Sequence, residues 1–195
     1  MKFDELKNNI INCRYCEDKF GFRPNPIFWG VENSKIVQIS QAPSNNVHNS
    51  GKPFTDMSGK TLKYDWYKIS DEDFYNTDNF YIGAIAHCYP GKNKNGGDIL
   101  PPKCCFNKWV LEELKIINNE IYIIIGSRAA KMFFPNDKFD DLVFNNNYYN
   151  NKLTLVLPHP SPLNKKWIKD HPDFLNKRII EIRKIINRII GDYNE

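Results

Sequence analysis

The chain has 195 residues, of which 41% are apolar and 14% aromatic, and a net charge of +4. Such a length and composition suit one globular domain with a real core and exclude a disordered chain. The net charge is compatible with a nucleic-acid partner without arguing for one, although Lys and Arg thicken after His159.

The start, Met1-Lys2-Phe3-Asp4-Glu5-Leu6, is charged, and no apolar run reaches membrane-spanning length. The expectation is a soluble, cytoplasmic protein with no membrane partner. Residues 4–12 read as a short helix leading into Cys13-Arg14-Tyr15-Cys16, followed by a loop from Gly21 to Gly30. Lys35 to Ile39 reads as a buried strand, a short apolar run bounded by turn signals. It opens into Ser40-Gln41-Ala42-Pro43-Ser44 and a polar loop to Gly59, and Lys60 to Ile69 then has helical spacing at Leu62, Trp66 and Ile69. Asn79 to Ala86 is a second strand, leading to His87-Cys88-Tyr89-Pro90-Gly91 and a Gly/Lys/Asn loop. Cys105 to Asn118 is helical, with Trp109, Leu111, Leu114 and Ile117 as buried positions.

Ile121 to Ile125 is the third strand, turned by Gly126-Ser127-Arg128-Ala129-Ala130 into a helix that ends before Pro135. Residues 136–152 read as irregular, and Leu153 to Leu157 is the fourth strand. Asp173 to Ile190 is an amphipathic helix. Its expected inward face is Phe174, Ile179, Ile182, Ile186 and Ile189, and its outward face Lys177, Arg178, Arg183, Lys184 and Arg188. Strands alternating with helices predict a single α/β domain over residues 1–195, with a four-stranded parallel sheet flanked by helices on both faces.

Two features carry chemistry. The first is the cysteine set: Cys13-x-x-Cys16, Cys88 after a strand, and the adjacent Cys104 and Cys105 at a helix start. In a reducing compartment such a set points to metal ligands or free thiols rather than disulfides. A two-residue spacer lets two thiolates grip one metal centre, and spacing alone suits zinc as well as iron–sulfur. One of Cys104 and Cys105 must be surplus. The second is Leu157-Pro158-His159-Pro160-Ser161-Pro162-Leu163-Asn164, where prolines forbid regular helix and hold His159 and Ser161 in a rigid loop at a strand's carboxyl end. Ligand chemistry in open α/β sheets collects there.

Taken together, these segments resemble the uracil-DNA glycosylase superfamily, specifically its iron–sulfur branch (the family 4 and family 5 types). The elements that carry the resemblance occur in the family's order. They are Val37-Gln38-Ile39-Ser40-Gln41-Ala42-Pro43-Ser44, Gly51-Lys52-Pro53-Phe54, Cys88-Tyr89-Pro90-Gly91, the Cys104/Cys105 helix, Gly126 to Ala130, and His159-Pro160-Ser161-Pro162-Leu163. The resemblance implies a monomeric DNA-repair hydrolase of base excision, cutting the N-glycosidic bond of uracil or a related deaminated base in DNA. It implies a 4Fe–4S cluster on Cys13, Cys16, Cys88 and Cys105 that shapes DNA-facing loops, with zinc as the alternative metal.

Under that resemblance, each candidate residue has a role. The target nucleotide must leave the base stack. Phe54 would stack on the flipped base, and Gln41, Ala42, Pro43, Ser44 and Asn45 would line its pocket. His159 would donate to the leaving base as negative charge develops on it. Gln41 would orient water or bond the base. Ser161 would hold a flanking phosphate, Leu163 would wedge into the duplex with Asn164 beside it, and Lys165 and Lys166 would attract phosphates.

Three departures from the family pattern bear on chemistry and substrate. Gln41 and Ala42 stand where many members have a carboxylate that activates water, and neither can act as a base. Asp56 is the nearest carboxylate in sequence, and the family pattern gives it no role. Ala84 stands near a frequent base-reading asparagine, and Ser44 where some relatives have a bulkier residue. The missing acid motivates the alternative of an iron–sulfur nucleic-acid-binding protein of the same fold with weak or no turnover.

Overall fold

A computed structural model describes residues 1–191. At its centre is one sheet of five strands: β1 (Ile36–Ser40), β2 (Phe80–Ala84), β3 (Ile121–Ile125), β4 (Asn147–Tyr149) and β5 (Lys152–Leu157). The strands lie in the order β2-β1-β3-β5-β4. The first four in that order are parallel, as expected, and β4 pairs antiparallel with β5. Every residue of β3 is buried, because five consecutive β-formers in a central parallel strand are covered on both faces.

Successive side chains of β2 show that both faces are covered. Phe80 stacks on Tyr67, 6.2 Å between ring centroids, while Tyr81 points the other way and donates its hydroxyl to Glu113. The helix carrying Tyr67 runs through Met57–Lys60 and widens into π turns over Thr61–Tyr67. The helix carrying Glu113 begins at Lys103–Cys105, widens over Phe106–Val110 and ends as Leu111–Ile116. Trp66 packs edge-on against Phe174, 5.0 Å between centroids, which docks Phe174–Arg178 and the following helix Ile179–Ile190 on the Tyr67 side.

Two expectations are corrected. Residues 136–152 are not irregular: they hold the helix Phe139–Phe144 and the β4–β5 hairpin. Asn150 and Asn151 turn that hairpin with φ of 49° and 59°, the left-handed pair that a two-residue turn requires and that asparagine tolerates. Arg178, expected on the solvent face, is buried. Its guanidinium donates to the carbonyls of Val143 (2.9 Å) and Asn145 (2.8 Å) and to Asn146 Oδ1 (3.0 Å), closing the end of the Phe139–Phe144 helix. On the last helix, Ile179, Ile182 and Ile186 are buried, and Ile189 packs partly exposed against them. No described helix is long and apolar enough to cross a membrane.

Candidate active site and cysteine cluster

The connections diverge between the parallel neighbours β1 and β3: β1 leads to β2 on one side and β3 to β5 on the other. A cavity of about 500 Å³ opens at the carboxyl ends of the strands, where an open α/β sheet places its ligands. Ser40 to Ser44 enter it from the end of β1, Gly83 and Ala84 from β2, and His159 and Ser161 from the loop after β5. Gly126, at the end of β3, has φ +89° and lies 3.6 Å from the His159 ring when given an ideal Cβ. A glycine therefore turns the chain beside the histidine without strain.

Of the residues expected at the substrate, Gln41, Ala42, Pro43, Ser44, Phe54, His159 and Ser161 all line this one cavity. Leu163 and Asn164 stand at its rim, and Leu163 is 96% exposed. Asn45 is not brought in: it is exposed at the start of the helix Asn45–Ser50 and lies outside the lining. Lys165 and Lys166 are exposed on the next helix, Lys165–Asp170, where Lys166 pairs with Asp170. Ser44 also serves the backbone, its hydroxyl accepting from Val47 N–H at 3.4 Å as a helix cap.

His159 has a defined tautomer. The Ser161 N–H donates to its Nδ1 at 3.2 Å, so a neutral ring carries its proton on Nε2. The ring keeps access to solvent, yet the protein packed around it disfavours the cation and lowers its pKa, against an opposing pull from Asp56. The result is a neutral imidazole with one N–H to give. Its loop is rigid: Asn164 Nδ2 donates to the His159 carbonyl at 3.1 Å, and Ser161 Oγ accepts from Leu163 N–H at 3.2 Å.

Asp56 is the site residue to which the sequence assigned no role. It lines the cavity, and one carboxylate oxygen accepts from Gly59 N–H at 3.0 Å, capping the helix Met57–Lys60. Capping fixes the side chain and leaves the second oxygen free. The sequence marked Asp56 only as the nearest carboxylate; that it caps a helix inside the cavity is a matter of tertiary structure. Asp98 and Ile99, from the exposed loop after Pro90, also reach the mouth.

His87 joins this cavity to the cysteines, lying against both. It is 3% exposed, with Nε2 3.0 Å from Glu113 Oε2 and Nδ1 3.0 Å from the Ile27 carbonyl. Burial is the largest influence and opposes its charge, but Glu113 and the Ile27 carbonyl together raise the pKa. Glu113 was invisible in the helix pattern because it occupies a buried position that reads as solvent-facing.

Cys13, Cys16, Cys88 and Cys105 line one small apolar pocket with Trp109, whereas Cys104 lies outside that lining. Trp109 Nε1 donates to Cys13 Sγ and the His87 N–H to Cys105 Sγ, each at 3.4 Å. Burial, then the nearby Cys104 and Cys13, pushes the Cys16 thiol up to about 11, and burial pushes Cys88 and Cys105 up to about 12. A metal bound here would have to displace those protons. Among the described residues no three His, Cys, Asp or Glu groups converge as ligands of a single ion. Four sulfurs around one pocket with N–H donors to two of them fit a multi-iron cluster, in which each sulfur holds a different iron.

Fold and cavity together define an open α/β protein whose chemistry lies at the carboxyl ends of its parallel strands. The family model of the Uracil DNA glycosylase superfamily matches residues 28–183, and the chain belongs to that superfamily. It is 24% identical over 132 residues to a type-4 uracil-DNA glycosylase of Sulfurisphaera tokodaii, covering 67% of this chain and 57% of that protein. It is 25% identical over 134 residues to one of Archaeoglobus fulgidus (67% and 63%) and 22% identical over 160 residues to one of Thermotoga maritima (80% and 74%). The chain thus matches less than two thirds of the length of the first two relatives.

Proposed function

We propose that this protein is a DNA glycosylase that hydrolyses the N-glycosidic bond of uracil or a related deaminated base, with residues 1–195 forming one catalytic domain. The observation that carries the reading is the convergence of three groups in one cavity: the Nε2–H of neutral His159, the Phe54 ring and the Asp56 carboxylate.

The reaction adds water to C1′ as the C1′–N bond breaks and its electron pair leaves with the base. The nucleotide must first be extruded into the cavity. Phe54 stacks on the base, with Ala42, Pro43 and Ser44 around it, and Gln41 bonds the base edge. His159 donates from Nε2 to the base oxygen on which negative charge grows, a bond that strengthens in the transition state. Asp56 orients the attacking water and accepts its proton, the part that Gln41 and Ala42 lack. Ser161 still has its hydroxyl proton to offer a flanking phosphate. Leu163 fills the gap left in the stack, with Asn164 beside it, and Lys165 and Lys166 add sequence-independent attraction to the backbone.

Cys13, Cys16, Cys88 and Cys105 would hold a 4Fe–4S cluster. When bound, the cluster supplies a rigid cross-link between the N-terminal segment, the end of β2 and the Cys105 helix. The alternative of a binding protein without turnover was motivated by the missing acid in the first motif, and a carboxylate in the cavity at Asp56 supports turnover instead.

The test is release of abasic sites from oligonucleotides carrying uracil, hypoxanthine or xanthine, read as strand scission under alkali, with His159→Ala alongside. Scission by the natural protein and its loss in the variant are expected. Equal activity in His159→Ala would refute that residue's role, and no product from any substrate would refute the glycosylase.

A further inference from the structure

Phe54 has φ +53°. A residue with a side chain holds that left-handed conformation only where its surroundings over-determine it. Two contacts do so here. Gly59 presses on the Phe54 backbone so closely that a Cβ there would stand 1.9 Å from the Phe54 carbonyl oxygen. The Tyr75 hydroxyl donates to the carbonyls of both Pro53 (2.8 Å) and Phe54 (3.1 Å).

Tyr75 is itself backed by a buried cation. Lys63, 4% exposed, donates to the Tyr75 hydroxyl oxygen at 3.3 Å and to Asp71 at 2.6 Å, and Tyr64 donates to the same Asp71 oxygen at 2.7 Å. A positive charge on the oxygen side of an O–H makes it a stronger donor. Burying a lysine is costly unless its donors are used, and one of these goes to the hydroxyl that grips the Phe54 turn. Burial raises the Tyr75 pKa, so the hydroxyl keeps its proton. Neither Tyr75 nor Lys63 lines the cavity.

We infer that Tyr75, backed by Lys63 and Asp71, is a positioning residue of the reaction: its hydroxyl locks the Pro53–Phe54 turn and so aims the Phe54 ring at the extruded base. The inference rests on the glycosylase reading. A tyrosine that served packing alone would keep its value without the hydroxyl.

Tyr75→Phe isolates that hydroxyl. It retains the ring, its edge contacts to Trp29 (5.5 Å) and Phe74 (5.2 Å), and the Lys52 ammonium 3.9 Å over its face. The expected result is a roughly tenfold rise in KM for a uracil-bearing oligonucleotide and in the inhibition constant of free uracil, with kcat within about threefold. Phe54→Ala should show the same signature, and the double variant should be no worse than Phe54→Ala alone, because both act through one contact. An unchanged KM in Tyr75→Phe, or losses that multiply in the double variant, would overturn the inference. Hydrogen exchange over residues 53–59 supplies an arm independent of catalysis. Should the natural protein release no base, the glycosylase reading falls and exchange decides the hold on the turn: faster local exchange in Tyr75→Phe sustains it, and unchanged exchange overturns it.

Discussion

The Ser161 N–H donates to His159 Nδ1 at 3.2 Å, and this one bond fixes the tautomer of the neutral ring. It leaves Nε2–H as the donor, and in the proposed reaction the neutral ring is the form required. The prolines at 158, 160 and 162 fix φ on either side of both residues and so restrict the loop around that bond.

Acid should therefore silence the proposed base release. The His159 pKa lies below the ordinary 6.5, because the protein around the ring disfavours the cation. kcat/KM should be flat through neutral pH and fall only below 6.5, with the loss following His159 protonation as read by NMR. The same depression means that the unfolded chain binds the proton more readily, so this group's contribution to stability is present above pH 6.5 and is lost on acidification. A rate that rises as pH falls through this window would contradict the assignment.

Asp56→Asn separates chemistry from folding. Asparagine caps a helix about as well as aspartate, so stability should change by less than about 1 kcal/mol. Base release should drop by about 100-fold or more, the usual worth of a positioned general base. Thermal melts and single-turnover kinetics on one preparation measure both.

Gly59→Ala should act on the base pocket from behind. Its methyl group would meet the Phe54 carbonyl backbone rather than a flexible side-chain end. The expected cost is about 2 kcal/mol or more, seen as a lower Tm, together with weaker inhibition by free base. A melting curve identical to that of the natural protein would contradict the close approach.

The adjacent cysteines should differ sharply. Cys105 lines the pocket with Cys13, Cys16 and Cys88, and Cys104 does not. Cys104→Ser should retain about four irons per chain and Cys105→Ser should lose them. Iron analysis and visible absorbance distinguish the two. Zinc in the purified protein in place of iron would refute the cluster.

Much of the fold was legible because its signals are local. Ile121 to Ile125 had to be a buried strand: five β-formers in a row cannot be satisfied by one face. The ends of β1 and β5 followed from the turn residues beside them, whereas β2 stops at Ala84, two residues before the expected Ala86. The hairpin at β4 was missed although Asn150-Asn151 is a turn signal, because its strand is only three residues long and half exposed.

The sequence by itself determined the layered α/β architecture, the proline-held histidine and the cysteine set, since each depends on residues near one another in the chain. Only the tertiary structure decided which polar groups meet. It brought Asp56 into the cavity with His159, 103 positions later. It buried Arg178 under carbonyls of a helix 35 residues away, paired Glu113 with His87, and put Cys105 rather than Cys104 in the lining of the cysteine pocket. Periodicity reports which face of an element is apolar. A hydrogen bond or a shared pocket between distant segments depends on how the whole chain closes, and no local pattern records it.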